Sequence, residues 1–170
     1  LVKVTINNPI LEGTFGQAEH WGNEYFNLEG GNGVNGIVTI DGKTYAKVAT
    51  DAVFDEAINA TSGDVTVVLS PAEYTLPTTS LAGRSIILEG SDASTTVIDM
   101  SAGDTPQYGY KSVTFKNVTV KRNSGPYGGL SHCGEEHYVD SKVEGTLVTY
   151  APVFTAKNTK FYQTSPDNYK

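Results

Sequence analysis

The sequence has little that can cross-link or anchor it: among 170 residues there are one cysteine, one methionine, one tryptophan and no long apolar run. A single cysteine excludes an intrachain disulfide framework, but both a reducing compartment and a bacterial surface that avoids cysteine fit this composition. No run approaches the about 18 apolar residues of a membrane-spanning helix, and the N-terminal LVKVTINNPI lacks a signal-peptide pattern. We therefore expect no membrane insertion, with any export signal lying outside this sequence.

Basic residues are scarce in the middle of the chain. Residues 51–104 carry one basic and nine acidic side chains, whereas residues 105–170 carry eight basic and five acidic ones, within a net charge of −7. The acidic middle argues against nucleic acid as a partner, because a nucleic-acid backbone is itself anionic. What the chain does contain, 18 glycines and 10 tyrosines, is typical of one turn-rich β domain.

Only one segment, TDAVFDEAINATSG, has the pattern of a helix. Thr50 or Asp51 can cap its start and Gly63 can end it. Four apolar residues share one face of this helix: Val53, Phe54, Ala57 and Ile58. Before it, IVTIDGKTYAKV predicts a β-hairpin, because Asp41-Gly42 accepts the positive φ angles of a tight turn. After it, short apolar runs separated by turn residues predict strands to the end of the chain.

A repeat is visible in three of these later segments. In VTFKNVTV, HYVDSKV and FTAKNTKF, the alternation of apolar and polar residues slips at Asn117, Asp140 and Asn158, which are 23 and 18 residues apart. Short strands at periods of roughly 20 residues indicate a solenoid, in which each coil stacks on the next. We predict that the three residues occupy stacked bends. We also predict one continuous core containing Phe115, Val118, Val120, Val143, Phe154 and Phe161.

The order of segments resembles a known superfamily. A helix followed by SGDVTVVLSPAEY, SIILEG, TTVIDM and SVTFKNVTV is similar to the start of right-handed parallel β-helix proteins of the pectin-lyase-like superfamily, over about residues 50–165. The resemblance implies an all-β, right-handed parallel β-helix with an N-terminal capping helix. We accordingly assign residues 1–49 to a strand, a Gly/Asn-rich segment and the hairpin, and residues 50–170 to the β-helix domain.

The catalytic residues of that superfamily have no counterpart here. HYVDSKVEGTLVTYAPVFTAKNTKF is similar to a pectinesterase stretch in which a catalytic aspartate follows a Gly-Thr pair, but Gly145-Thr146-Leu147 leads to Val148. A valine cannot be a nucleophile, acid or base. The acidic calcium ligands and basic residue of the lyases are not found on adjacent coils. The resemblance therefore implies the fold without its chemistry, and we expect no catalytic residue, metal or cofactor.

Two clusters are the candidates for a ligand-binding site. The segment SHCGEEH places several polar side chains together, but its histidines are five residues apart and match no zinc template. Cys133 has nearby histidines that would suit a nucleophile, although a structural thiol is the simpler interpretation. Tyrosines interleaved with glycines, on predicted loops, are suited to stack on sugars or protein surfaces. The candidate binding residues are Tyr108, Tyr110, Tyr127, His132, Glu135 and His137.

Three functions remain open from the sequence. The favoured hypothesis is a non-catalytic module of a secreted or cell-surface bacterial protein, serving in adhesion, glycan binding or spacing. The alternatives are a carbohydrate-active enzyme, related to polysaccharide lyases or esterases, and a phage fibre or decoration domain. The expected partner is a polysaccharide or a cell-surface glycan, not a nucleic acid.

No apolar segment after FTAKNTKF is suited to cover the last predicted coil. Three arrangements would cover it: the tail YQTSPDNYK folds back, the protein continues into neighbouring coils or domains, or two chains associate end to end. We favour a module of a longer protein, because the tail is polar and the sequence starts abruptly within LVKVTI.

Overall fold

A computed structural model describes residues 2–6, 36–76, 83–101, 109–122, 133–147 and 149–162. These residues form a parallel β-solenoid of about four turns with one short helix. One sheet has eight strands and the other has five. The prediction of an all-β solenoid built from short strands is confirmed.

The elements follow the short apolar runs of the sequence. The first sheet contains, in spatial order, β1 (Val2–Ile6), β2 (Gly36–Ile40), β3 (Lys43–Val48), β4 (Val65–Leu69), β6 (Ser85–Gly90), β8 (Ser112–Lys116), β10 (Glu135–Val139) and β12 (Val153–Lys157). The second sheet contains β5 (Glu73–Thr75), β7 (Val97–Met100), β9 (Thr119–Arg122), β11 (Lys142–Glu144) and β13 (Lys160–Tyr162). The helix, α1, is Phe54–Asn59, and a 3-10 turn at Asp51–Val53 precedes it.

From β4 onward the chain alternates between the sheets, so each coil adds one strand to each of them. Neighbouring strands are parallel and in register: Val113 pairs with Glu136 in the first sheet, and Val120 pairs with Val143 in the second. Because side chains alternate between the two faces of a strand, this register aligns inward and outward residues into rows along the solenoid. The inward rows form one buried cluster.

The three predicted bend residues lie between the paired strands of successive coils. Asn117, Asp140 and Asn158 have φ angles of 53°, 50° and 49°, the left-handed region that asparagine and aspartate adopt more readily than most residues. The Asn158 Nδ2 atom donates to Asp140 Oδ1 at 3.0 Å, which links two successive bends. In the preceding coil, Gly90 lies close to the backbone of Asn117. A Cβ atom added to Gly90 would be 2.7 Å from the Asn117 carbonyl oxygen, which is too close for a side chain. The phase slip in the sequence is therefore the turn from one sheet to the other.

We expect Asn117→Ala to lower the free energy of unfolding by about 1 kcal/mol, because alanine is strained in the left-handed region. Glycine enters that region freely, so Asn117→Gly should cost less than Asn117→Ala. Urea denaturation of the two variants tests this. An alanine variant as stable as the glycine variant would contradict a role for the φ angle.

The predicted helix packs against the first strand of the second sheet. Phe54, Ala57 and Ile58 are buried, and the Phe54 ring meets the ring of Tyr74 on β5 edge-on at 5.7 Å. The backbone N–H of Thr75, also on β5, donates to Asp51 Oδ1 at 2.6 Å. The first strand of the second sheet is thus covered by apolar packing and by a bond to its backbone.

The ends of the helical segment differ from the sequence prediction. Thr50 is the N-cap residue but makes no side-chain capping bond, and the helix ends at Asn59 before Gly63 is reached. Gly63 has a φ of 72°, and its carbonyl accepts a hydrogen bond from Arg84. Arg84 also donates to the Ile58 carbonyl, so a cation from the next coil satisfies the last turn of the helix.

The predicted hairpin is present as β2 and β3, which pair antiparallel. Asp41 and Gly42 both have positive φ angles, 47° and 76°, as this turn requires. β3 then pairs in parallel with β4, so the hairpin extends the first sheet of the solenoid.

The core prediction is confirmed for the inner coils and fails at the last one. Phe115, Val118, Val120 and Val143 are buried, whereas Phe154 is only partly buried. Phe161 is 44% exposed. Its backbone register with Val143 places it in the same inward row. It is exposed because no strand beyond β13 stacks on it within the described part of the chain.

Candidate functional site

The predicted binding cluster of loop tyrosines is mostly beyond the described residues. Tyr108, Tyr127 and His132 lie outside them. Tyr110 is only 2% exposed and belongs to the core cluster, so its ring packs inside the solenoid. Of the tyrosines in this prediction, the structure places only Tyr110, and it lies in the core rather than on the outward face with Glu135 and His137.

Glu135 and His137 share the outward face of β10, as their spacing predicts. The His137 Nε2 atom lies 3.1 Å from Glu135 Oε2, and its Nδ1 atom lies 2.7 Å from the Thr155 Oγ1 atom on β12. One tautomer satisfies both contacts: Nε2–H donates to the carboxylate while Nδ1 accepts from the threonine hydroxyl. These three side chains lie on the outer surface of the first sheet.

Cys133 is buried, and its thiol lies 3.0 Å from the Glu135 carbonyl, to which it donates. Burial, and after it the negative charge of Glu136, raises the pKa of this thiol to about 11. A thiol in this environment is protonated at neutral pH and is a poor nucleophile. The geometry therefore fits the structural interpretation of Cys133.

A buried polar cluster, which the sequence pattern did not reveal, lies inside the solenoid at β9 and β10. Glu136 and Arg122 form an ion pair in which both side chains are fully buried. The Tyr138 hydroxyl contacts both of them, and the Thr149 hydroxyl donates to Glu136 Oε2 at 2.8 Å. Burial raises the pKa of Tyr138 above its ordinary value, so the phenol stays protonated. Arg122, Glu136 and Tyr138 are buried, whereas Thr149 is exposed. The burial of the ion pair fits a structural role.

An open surface lies on the outward face of the second sheet, and we call it the second-sheet groove. It has a volume of about 630 Å³, within the range of ligand sites. The segment after β6 forms one wall, which is held where the Thr119 hydroxyl donates to the Ala93 carbonyl at 2.6 Å. The groove is lined by Asp92, Ala93, Ser94, Val97, Thr119, Lys121, Asp140, Ser141, Lys142, Glu144, Asn158, Lys160 and Tyr162.

Two in-register rows of side chains run across this groove from coil to coil. One row contains Glu73, Val97, Thr119, Lys142 and Lys160. The other contains Thr75, Asp99, Lys121, Glu144 and Tyr162. From β9 onward, the members that line the groove follow a bend residue by two or four positions. That spacing is visible in the sequence, and it would have identified the surface once the bends were treated as the origin of each coil.

The charges in the groove are partly neutralised. Lys121 Nζ lies 2.8 Å from Glu73 Oε2, and Lys142 pairs with Glu144. These hydrogen bonds raise the pKa of both lysines, which therefore stay cationic. Lys160 makes no ion pair with any residue that the structure describes. Lys142 Nζ also lies 5.0 Å from the centroid of the half-exposed Tyr162 ring.

The described residues contain no group of three or more His, Cys, Asp or Glu side chains that is suited to hold a metal ion. Within the same residues, no helix is long and apolar enough to span a membrane.

Fold and groove together define a parallel β-solenoid with an open polar surface along one sheet. No protein-family model, curated protein or solved structure matches the chain.

Proposed function

We propose that this chain is a non-catalytic β-solenoid module of a secreted or cell-surface protein, and that its second-sheet groove binds an acidic polysaccharide. The observation that carries the proposal is the in-register pair Lys142 and Lys160 beside the exposed ring of Tyr162. Stacked coils repeat about every 4.8 Å. Outward side chains therefore recur at regular intervals along the groove, as the sugar units do along a polysaccharide.

The groove is lined by as many acidic as basic side chains, so the preference for a carboxylated sugar over a neutral one rests on one local pair of lysines. Lys142 and Lys160 carry like charges on adjacent coils, and only Lys142 has an acidic partner among the described residues. A carboxylate placed between the two ammonium groups would relieve their repulsion and form charge-assisted hydrogen bonds. The wider sequence agrees, since residues 105–170 are net basic in a chain whose net charge is −7.

Tyr162 would provide an aromatic contact to the sugar, in addition to the contacts of the two lysines with its carboxylate. Tyr162 is 48% exposed, with Lys142 against its ring. An exposed tyrosine offers a flat apolar face and a hydroxyl at low conformational cost. Hydroxyl and carboxylate groups also line the groove. Together with them, Tyr162 is suited to bind sugars, whose faces are apolar and whose edges are polar.

Calorimetric titration with polygalacturonate tests the proposal. We expect the Lys142→Gln/Lys160→Gln double variant to bind at least about tenfold more weakly, because two charge-assisted contacts are lost. Binding by the wild type should also weaken as salt is added, since exposed charges are screened.

The control is Lys157→Gln, matched to the single variant Lys160→Gln: each removes one positive charge from the last coil, Lys157 on β12 of the first sheet and Lys160 on β13 of the second. We expect it to bind as the wild type does. Equal binding by the double variant and the wild type, or an equal loss in the control, would contradict a site in the groove. Wild-type protein that binds dextran as well as polygalacturonate would contradict the acidic class of ligand.

We also propose that the chain is a member of the pectin-lyase-like superfamily. The support for this membership is the parallel solenoid of about four turns, together with the segment order described above. Right-handed coiling, as in that superfamily, is expected.

One observation favours a second candidate function, hydrolysis of an acyl ester. The chain of contacts from Glu135 through His137 to the Thr155 hydroxyl has the order of an orienting acid, a base and a nucleophile. We expect no turnover of acetylated polysaccharide if the module is non-catalytic. Turnover that is lost in both His137→Ala and Thr155→Val would establish the second function instead.

A further inference from the structure

Among the residues whose side-chain exposure the structure gives, the large exposed apolar side chains lie at one end of the solenoid. Those large enough to matter are Leu147, Tyr150, Val153, Phe161 and Tyr162. Within the part of the chain that the structure describes, β12 and β13 are the edge strands at this end, and each pairs with a neighbour on one side only. An edge strand presents unpaired backbone N–H and C=O groups, so apolar and hydrogen-bonding surface coincide here.

The opposite end of the second sheet is closed. The Thr75 N–H of β5 is already bonded to Asp51, and the Phe54 ring packs against Tyr74. Copies of this chain therefore cannot stack head to tail through both sheets, because α1 occupies the receiving surface. An isologous contact, in which the open end of one chain meets the same end of another, needs no such surface.

β12 is self-complementary about its central residue. In an antiparallel pair centred on Thr155, the inward Phe154 faces Ala156 of the partner, which sets a large side chain against a small one. The outward Val153 faces Lys157 of the partner, so no like charges meet. A centre lying between two residues is excluded, because it would place inward side chains opposite outward ones. Thr155 itself would face Thr155 of the partner, a favourable cross-strand pair.

We propose that two copies of this chain associate end to end, with β12 of each pairing antiparallel about Thr155 to form a continuous first sheet. This inference is independent of glycan binding, and its test uses no ligand. The partner that covers the open end is a second copy of this chain.

Sedimentation equilibrium over a dilution series, from micromolar to near-millimolar protein, tests the proposal with two variants at one position. Val153→Lys would face Lys157 of the partner twice in each dimer, whereas Val153→Glu would form two opposite-charge pairs. We expect these effects to separate the dissociation constants of the two variants by about tenfold or more, with the lysine variant weaker. The double variant Val153→Lys/Lys157→Glu should dimerise again.

A change in the stability of the monomer would not rank the Val153→Lys and Val153→Glu variants in the same order as their dissociation constants. Val153 is in register with Glu135 within the chain, so the lysine gains an intrachain partner and the glutamate a repulsion. Thermal unfolding of the monomers should therefore rank the variants in the opposite order. A wild type that stays monomeric throughout, or two variants with equal dissociation constants, would overturn the proposal.

Discussion

Replacing Glu136 with valine is expected to lower the free energy of unfolding by about 3–5 kcal/mol, although valine occupies the equivalent inward position on β8. Val113 pairs in register with Glu136, so the new side chain suits the strand and the row. The cost arises because the fully buried Arg122 loses its carboxylate partner. Chemical denaturation of the variant measures it.

A double variant separates the lost ion pair from the change in packing. Arg122→Met together with Glu136→Val leaves no buried charge, and replacing a buried pair by apolar residues is often neutral or stabilising. We therefore expect the double variant to recover most of the stability lost in Glu136→Val. A double variant as unstable as the single one would show that the cost does not come from an uncompensated Arg122.

Phe115→Ala is expected to be similarly damaging, at about 3–5 kcal/mol, because it leaves a cavity in the middle of the core. Phe115 is fully buried, and its ring stacks on Tyr138 with centroids 5.1 Å apart. Coils on both sides hold its neighbours in place, so the cavity cannot easily collapse. The loss is measured by urea denaturation.

The matched control is Phe161→Ala, the same substitution in the row of the second sheet at the open end. Because Phe161 is 44% exposed in the single chain, we expect a loss of less than about 1.5 kcal/mol in dilute protein, where the proposed dimer is dissociated. Equal costs at the two positions would mean either that Phe161 is covered in solution or that Phe115 is not in the core.

The architecture was largely predictable because it depends on local signals. Asn117, Asp140 and Asn158 interrupt the alternation at the points where the chain turns, and each has a positive φ angle. Asp41-Gly42 and the apolar face of α1 are signals of the same local kind. In a solenoid each coil contacts only its neighbours, so a correct repeat already specifies most of the pairing.

The buried ion pair could not be predicted in this way. Glu136 lies between Glu135 and His137 in a segment that resembles a solvated polar turn. Only the register with Val113 shows that it points inward, and only the fold brings Arg122 to it. Pairing between residues on different strands is a tertiary property, which composition and spacing do not encode.

The groove was missed for a related reason. Tyrosines among glycines draw attention, whereas Lys142 and Lys160 are ordinary residues in short polar strands. Their significance comes from being stacked on adjacent coils. Tyr110 is the opposite example: its glycine-rich surroundings predict an exposed loop residue, but its side chain packs into the core.

Chemical-shift mapping of the isotopically labelled protein, titrated with oligogalacturonate, tests the central claim most directly. We predict that the largest amide shifts fall on β11 and β13, at Lys142, Lys160 and Tyr162, and that β12 changes little. Shifts concentrated at Glu135, His137 and Thr155, or no shifts at any concentration, would contradict a glycan site in the second-sheet groove.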